Sequence, residues 1–314
     1  MYYLYKKFKI TTHVLGFSKG LSYLWYLFLY KVLRNIFVSI AYNMFYQKHK
    51  IVIDFIEHLD LSIEELPCTP PIKPNIGNDT IWIFWYQGKE KMPEIVRICI
   101  ESVKKHSVGY KVFLLDKDNI SDFLNLPVMN KLGNGMTYTH FSDYVRLSLL
   151  SVYGGVWIDA TMFVTENIKE KIDGYDFYTI KNVREKLYCV SEYRWSISFM
   201  KCSKGNTFIN QACMLFRKYW DLYDSQFEYA LLDYILAYLV ERKDWQYVLD
   251  DVPLNNPRTY KDSLFYMLDK PFDMERYNAI IDATWLHKFS CHKEYLRESE
   301  GKETLYGKLL REYN

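Results

Sequence analysis

The chain has no C-x-x-C pair among its six scattered cysteines (Cys68, Cys99, Cys189, Cys202, Cys213 and Cys291), and none of its seven histidines stands at a zinc-type spacing. A zinc module and a disulfide framework are thereby excluded, and a reduced, cytosolic setting fits best. Charge of one sign is equally scarce. The 40 basic and 38 acidic residues leave a net +2, too balanced for a broad phosphate-binding face, so nucleic acid is excluded as a partner. No uninterrupted apolar run of about 20 residues occurs, which argues against a bilayer-spanning helix. Lys6, Lys7 and Lys9 precede only a diluted apolar stretch with no A-x-A-like site after it, so a secretory signal is not expected. Internal repeats and low-complexity tracts are also missing.

What is abundant is aromatic and apolar material. Hydrophobic residues make up 49% and aromatics 18% of 314 residues, with 29 Tyr and 8 Trp, enough for a large rigid core. Residues 1–65 read as an N-terminal helical segment whose runs LSYLWYLFLY and IFVSIAYNMFY are broken by Lys31, Arg34 and Asn35. Two readings of it stay open. Aromatics beside Lys19, Lys31, Arg34, Lys48 and Lys50 suit a helix lying in the headgroup region of an acidic inner leaflet. A helical hairpin packed on the following domain fits as well. Residues 66–78, with Pro67, Pro70, Pro71, Pro74 and Gly77, read as a linker.

From residue 79 the pattern changes. TIWIFWYQG is a short buried-strand run closed by Gly88. Pro93 opens a helix with Ile95, Ile98, Cys99 and Val103 at helical spacing, and YKVFLLD (110–116) supplies a second strand, which completes a parallel βαβ unit. THFSDYVRLSLLSVY (139–153) predicts a helix stopped by Gly154 and Gly155, and VWIDATMFV predicts the next strand. The fold class expected is α/β, a Rossmann-type mixed sheet flanked by helices over 79–295, with 296–314 as an exposed charged tail.

Within this frame Asp143 and Arg146, three apart on a helix, can point to one spot. Asp159 ends a buried strand, where open α/β sheets hold ligands. Each alone has an ordinary explanation, a surface ion pair or a turn former. Their succession, S-D-x-x-R, then G-G, then a strand ending in Asp, resembles the capsular polysaccharide synthesis glycosyltransferases. More distantly it resembles the mannosyltransferase-type and clostridial-toxin-type sugar transferases. The resemblance runs from IWIFWYQGKEKMP near Ile81 to WLHKFSCHK ending at Lys293, roughly two-thirds of the chain.

It implies a GT-A fold and transfer of a sugar, with retention, from a nucleotide-sugar donor such as a UDP-hexose. The implied acceptor is a hydroxyl of a lipid-linked oligosaccharide in bacterial capsule synthesis, at the inner face of the cell membrane. By the same resemblance Asp143 and Arg146 would touch the donor's ribose and sugar, and Trp85, Gln87 and Gly88 would line the donor loop. Asp159, Thr161 and His287 would hold a divalent Mn²⁺ or Mg²⁺ on the diphosphate, with Lys288 on a phosphate oxygen. Trp195 and Ser196 would face the acceptor, and Asp233 would lie beneath the reacting sugar, sharing the catalytic role with Arg146. Physics concurs, since a departing diphosphate gathers negative charge that a hard cation and a planar guanidinium neutralise. Asp233, amid the apolar run EYALLDYILAYLV, is costly unless it is paired or faces a cavity. Asp159, as a strand-end carboxylate, is expected to add little to packing. The chain departs from the broader D-x-D pattern, because Thr161 stands where a second carboxylate would be. That leaves open a catalytically silent saccharide-binding or scaffold subunit. A metal-dependent phosphodiesterase ranks last for want of clustered His and Asp.

Overall fold

A computed structural model describes residues 2–61, 72–73, 75–184, 189–256 and 263–313. Most of the Pro-rich stretch read as a linker, residues 66–71 and 74, lies outside the described residues. Three helices come first, Tyr2–Leu15 (α1), Phe17–Leu33 (α2) and Val38–Leu61 (α3). Then follow Thr80–Phe84 (β1), Glu94–Lys105 (α4), Lys111–Leu115 (β2), Tyr138–Tyr153 (α5), Gly155–Ile158 (β3), Met162–Val164 (β4), Ile168–Ile172 (α6), Phe177–Thr179 (β5) and Phe199–Cys202 (β6). The remainder is Thr207–Leu222 (α7), Leu231–Arg242 (α8), Gln246–Asp250 (α9), Met274–Ile281 (α10), Leu286–Lys288 (β7), Glu298–Ser299 (β8), Lys302–Glu303 (β9) and Leu305–Tyr313 (α11).

Every residue of β1 is buried, as a strand covered on both faces must be. It pairs in parallel with β2 on one side and β3 on the other, while β6 and β5 continue the sheet antiparallel, in the order β2-β1-β3-β6-β5. The mixed α/β sheet read from the sequence is thus present. Gly154 and Gly155 do more than stop α5. Both have positive φ (70° and 90°), and a Cβ on Gly155 would stand 2.5 Å from the Thr80 carbonyl oxygen, one on Gly154 2.5 Å from the Lys204 nitrogen. The pair therefore lets β3 start flush against β1. The Gly154 carbonyl also accepts from the Trp82 indole at 2.9 Å, which satisfies the one polar atom of a fully buried ring.

The leading helices pack on the helices that follow the sheet, α3 against both α7 and α8. Polar contacts pin the packing: Tyr23 donates to Glu228 at 2.6 Å, Lys48 pairs with Glu228 at 2.7 Å, and Tyr238 donates to Asp60 at 2.7 Å. Their outer side is different. Trp25, Phe28 and Val32 along α2, and Ile36, Phe37 and Val38 at its turn into α3, are half exposed or more. Of residues 296–314, expected as an exposed tail, the described 296–313 instead form a small hairpin and α11, which packs on α4. Leu305, Leu309 and Leu310 are buried there, and Tyr306 donates to Glu94 at 2.7 Å. The charged residues of that stretch lie on the hairpin or, as Lys308, Arg311 and Glu312, on the side of α11 turned away from those leucines.

Candidate active site

The carboxyl ends of β1 and β3 open on one side of the sheet, and α5 returns to the same place. Thr137 caps α5 by accepting from the His140 amide, so the helix starts where it can carry Asp143 and Arg146 one turn apart. Arg146 is buried, with 4% of its side chain exposed, and it divides its guanidinium between Asp143 (2.5 Å) and Asp159 (2.9 Å). An i, i+3 pair on a helix surface would be worth little, but this one is removed from water and shared with a strand end. The Trp157 ring lies 4.9 Å below the guanidinium, and its indole donates to the same Asp159 oxygen at 2.8 Å. Residues 157 and 159 share a strand face, so the alternation of β3 aims both side chains at Arg146.

The second Asp159 oxygen accepts from Lys288 at 2.6 Å. Lys288 comes from β7, which pairs antiparallel with β4, and the Thr161 carbonyl accepts from the Phe289 amide at 2.9 Å, so the Asp-Ala-Thr turn is tied to β7 by its backbone. Burial pushes the Asp159 carboxyl up, but the Lys288 ammonium and the Arg146 guanidinium more than reverse this and hold it at about 2. Asp159 is therefore a firm anion. Contrary to the expectation from sequence, it is also structural, because it shares the charge of a buried guanidinium.

Next to this network, Trp195 donates to Asp233 at 2.9 Å while the Arg194 guanidinium stacks 4.7 Å from the Trp195 ring. Burial raises the Asp233 carboxyl to about 6; the Trp195 indole opposes the rise, Asp143 adds to it, and Arg146 works against it. Those influences place Asp233 within electrostatic reach of the Asp143–Arg146 pair. Its position on the helix differs from the reading of a continuous apolar helix around it. Glu228 to Ala230 form a turn, α8 begins at Leu231, and Asp233 falls in the first turn, where unpaired amides and the helix dipole favour an anion. Ser196 exchanges a hydrogen bond with Ser198 at 2.7 Å, and the Ser198 carbonyl accepts from the Asp159 amide, so Ser196 stands one residue pair from Asp159.

His287 is placed apart from these groups. Successive strand residues face opposite sides, so with Lys288 turned to Asp159 its neighbour turns into the interior, buried with its ring 6.4 Å from Phe163. Burial lowers its imidazole to about 3, against a hydrogen bond to the Thr284 backbone, so it is neutral. On the donor side, Gln87 is exposed, Gly88 has φ 81°, and the Trp85 indole nitrogen is buried with no hydrogen-bond partner among the described residues. Asp116, not singled out in the sequence, closes the neighbouring turn by accepting from the amides of Asp118 and Asn119. Trp157 belongs to the network as well, and two-residue alternation with Asp159 marks it in the sequence.

Among the described residues no cluster of three or more His, Cys, Asp or Glu side chains forms a metal cage. Asp159 is the carboxylate of the network that reaches the rim, with 22% of its side chain exposed. This set fits a divalent ion that takes one carboxylate from the protein and its remaining ligands from phosphate and water, a common arrangement for Mg²⁺.

A mixed α/β sheet with a Gly-Gly elbow thus carries at its carboxyl rim a chain of charges that runs from buried Asp143 and Arg146 through Asp159 to exposed Lys288. The chain belongs to the capsular polysaccharide synthesis protein family, whose sequence model matches residues 34–309, from before α3 into α11. It is similar to the O-glycosyltransferase braB of Annulohypoxylon truncatum, 30% identical over 165 residues that make up 47% of this chain and 39% of that protein. The glycosyltransferase afumC of Aspergillus fumigatus is 27% identical over 48% of this chain and 43% of its own length. An uncharacterized glycosyltransferase, L373 of Acanthamoeba polyphaga mimivirus, is 30% identical over 35% of this chain and 45% of its own length. The chain thus spans less than half of each of these relatives.

Proposed function

We propose that the chain is a glycosyltransferase of GT-A type that moves a sugar from a nucleoside-diphosphate donor, a UDP-hexose in the first instance, to a hydroxyl acceptor. The observation that carries this reading is the convergence of Asp143, Arg146, Asp159 and Lys288, from α5, β3 and β7, at the carboxyl rim of the parallel strands. Nothing in the packing of the sheet requires a buried guanidinium between two carboxylates at that rim. A donor diphosphate would make use of cations there, because breaking its bond to the sugar anomeric carbon leaves a pair of electrons and a growing negative charge on the phosphate oxygen. Lys288 and Arg146 are the cations within reach of that oxygen. Asp143 holds the guanidinium in orientation, and Asp159 fixes both cations.

The acceptor oxygen bonds to the anomeric carbon on the face that the diphosphate leaves, and its proton passes to the departing phosphate oxygen. Asp233, raised in its proton affinity and close to the Asp143–Arg146 pair, is the carboxyl placed to face the sugar on the side away from the rim. In this reading Trp85, Gln87 and Gly88 border the nucleotide, and Trp195 and Ser196 border the acceptor. Mn²⁺ or Mg²⁺ bound by Asp159 with the Thr161 hydroxyl would supply further positive charge at the diphosphate; His287 faces the interior and is left out of that set. The family and the resemblance noted above favour a lipid-linked oligosaccharide acceptor and retention of configuration.

The exposed apolar residues along the second half of α2 and its turn into α3, interleaved with Lys31 and Arg34, suit peripheral contact with an anionic bilayer surface on the cytoplasmic side. Among the described residues no helix is long and apolar enough to cross a membrane.

The test is hydrolysis of a panel of UDP- and GDP-sugars by the full chain, with Mn²⁺ or Mg²⁺ and with a chelator. Release of nucleoside diphosphate from at least one donor is expected, with a loss of at least about tenfold under the chelator. Binding of saccharide without cleavage of any donor would instead favour the silent binding subunit.

A further inference from the structure

A cavity of about 320 Å³ lies between the leading helices and α8, away from the Asp159 rim but ending on Asp233. Tyr30 of α2 and Phe45 and Lys48 of α3 form one wall. Glu228, Ala230, Asp233 and Tyr234 form the other, and residues 189–191 close an end. Its volume stands at the low end for small-molecule sites.

The chemistry of the walls selects what could fill it. One ammonium and two carboxyl groups line it: Lys48 and Glu228 already answer each other at 2.7 Å, with Tyr23 donating to the same Glu228 oxygen at 2.6 Å, and Asp233 stands apart from that pair. Lys48 is further enclosed by the rings of Tyr23, Phe45 and Tyr234 at 5.2–5.8 Å from their centroids. An anionic ligand would find no unmatched cation here, since Lys48 is taken by Glu228. What is left unmatched is neutral or hydrogen-bonding. The Tyr234 hydroxyl, on a residue with no solvent exposure, has no partner among the described residues. Asp233 commits only Oδ1, to Trp195. A buried hydroxyl left without a partner is costly, and such groups in native proteins are normally satisfied by a bound molecule or water. The lining thus offers aromatic faces, one orphaned hydroxyl and one carboxylate oxygen.

We infer that this cavity is the acceptor subsite, and that it takes a neutral glycoside, one apolar sugar face against Phe45 and Tyr30 and its hydroxyls shared between Tyr234 and Asp233. The inference rests on the transfer reading above, and it gives the leading helices a role in the site as well as at a surface: α2 and α3 complete the wall that the sheet domain leaves open. Asp233 then borders both compartments, with Oδ1 held by Trp195 and Oδ2 left for the acceptor glycoside.

The test uses the full chain with 4-nitrophenyl β-D-glucopyranoside as a probe of the acceptor cavity and UDP as a probe of the rim, each binding read by ligand-observed NMR. Tyr234→Phe removes one oxygen and leaves the ring, so the fold persists. It should weaken the glucoside about tenfold, the loss of one hydrogen bond to a ligand, and leave UDP affinity as in the parent. Phe45→Ala should weaken the glucoside to a similar or larger degree, again without moving UDP. If the parent does not bind the glucoside, if both variants bind it as the parent does, or if UDP weakens in step, the subsite is refuted. Glucoside binding that responds to both variants in a chain that cleaves no nucleotide-sugar would keep the cavity as a glycoside site and overturn the transfer reading instead.

Discussion

Replacing Asp233 by Asn separates what this carboxyl costs the fold from what it does at the site. Burial raises Asp233 from an ordinary 3.8 to about 6, with the Trp195 indole acting against the rise. A gap of roughly two pKa units corresponds to about 3 kcal/mol. The folded chain holds this proton more tightly than the unfolded one, so between about pH 4 and pH 6 the folded state binds more protons and stability falls as pH rises. Above that window the penalty is constant. Asn retains the Oδ1 acceptor for Trp195 and cannot ionise. Urea unfolding of Asp233→Asn should therefore show a gain of up to about 3 kcal/mol at pH 8 that shrinks to about 1 kcal/mol at pH 4.5, with sugar transfer lost at both. The helix amides around the first turn of α8 reduce the gain without changing its sign. A gain that is the same at both pH values, or none at pH 8, would mean that the carboxylate is solvated, and the argument for Asp233 as a desolvated group beneath the sugar would fail.

Asp159→Asn should cost about 2 kcal/mol at pH 7, because it withdraws half the countercharge of buried Arg146. With Asp159 held at about 2 in the folded chain, that stabilisation is present above its ordinary 3.8 and lost as the pH falls through 2, so the difference between parent and variant in denaturant titrations should close toward pH 2; a pH-independent difference contradicts it. Lys288→Met, at a side chain nearly half exposed, should leave the melting temperature within a few degrees but raise the donor KM by about tenfold, and an unchanged donor KM removes Lys288 from the diphosphate. Phe28→Glu with Phe37→Glu, both exposed and outside the packed faces of α2 and α3, should abolish co-flotation with phosphatidylserine vesicles while donor hydrolysis persists; flotation that survives places membrane contact elsewhere.

How much of this was readable in the sequence follows from how far apart the partners lie along the chain. The fully apolar TIWIF, the helical spacing of Ile95, Ile98, Cys99 and Val103, and the Gly-Gly stop each encode their element within a dozen residues, and β1, α4 and the end of α5 lie where those patterns put them. The rim is legible for the same reason: Asp143 and Arg146 share one helical turn, and Asp159 follows 13 residues later, on the strand that Gly154 and Gly155 seat against β1. Alternation along WID could have delivered Trp157 too. The last helix is legible in principle, since Leu305, Leu309 and Leu310 share a face, but the surrounding charges mask that spacing. The acceptor-side wall is another matter. Glu228 meets Lys48 across 180 residues and Tyr23 across 205, and no period or motif in either segment names the other. Lys48 in a lysine-rich helical run reads as a surface or headgroup cation, and Glu228 reads as part of the apolar helix that follows it. Only the docking of α3 on α8 turns two unremarkable charges into a buried pair beside Asp233. A buried pair of this kind is a poor source of net stability, because desolvation offsets the attraction, so its presence there calls for another reason. The need to hold an aromatic-walled cavity open beside the carboxyl that faces the sugar is one that the geometry supplies.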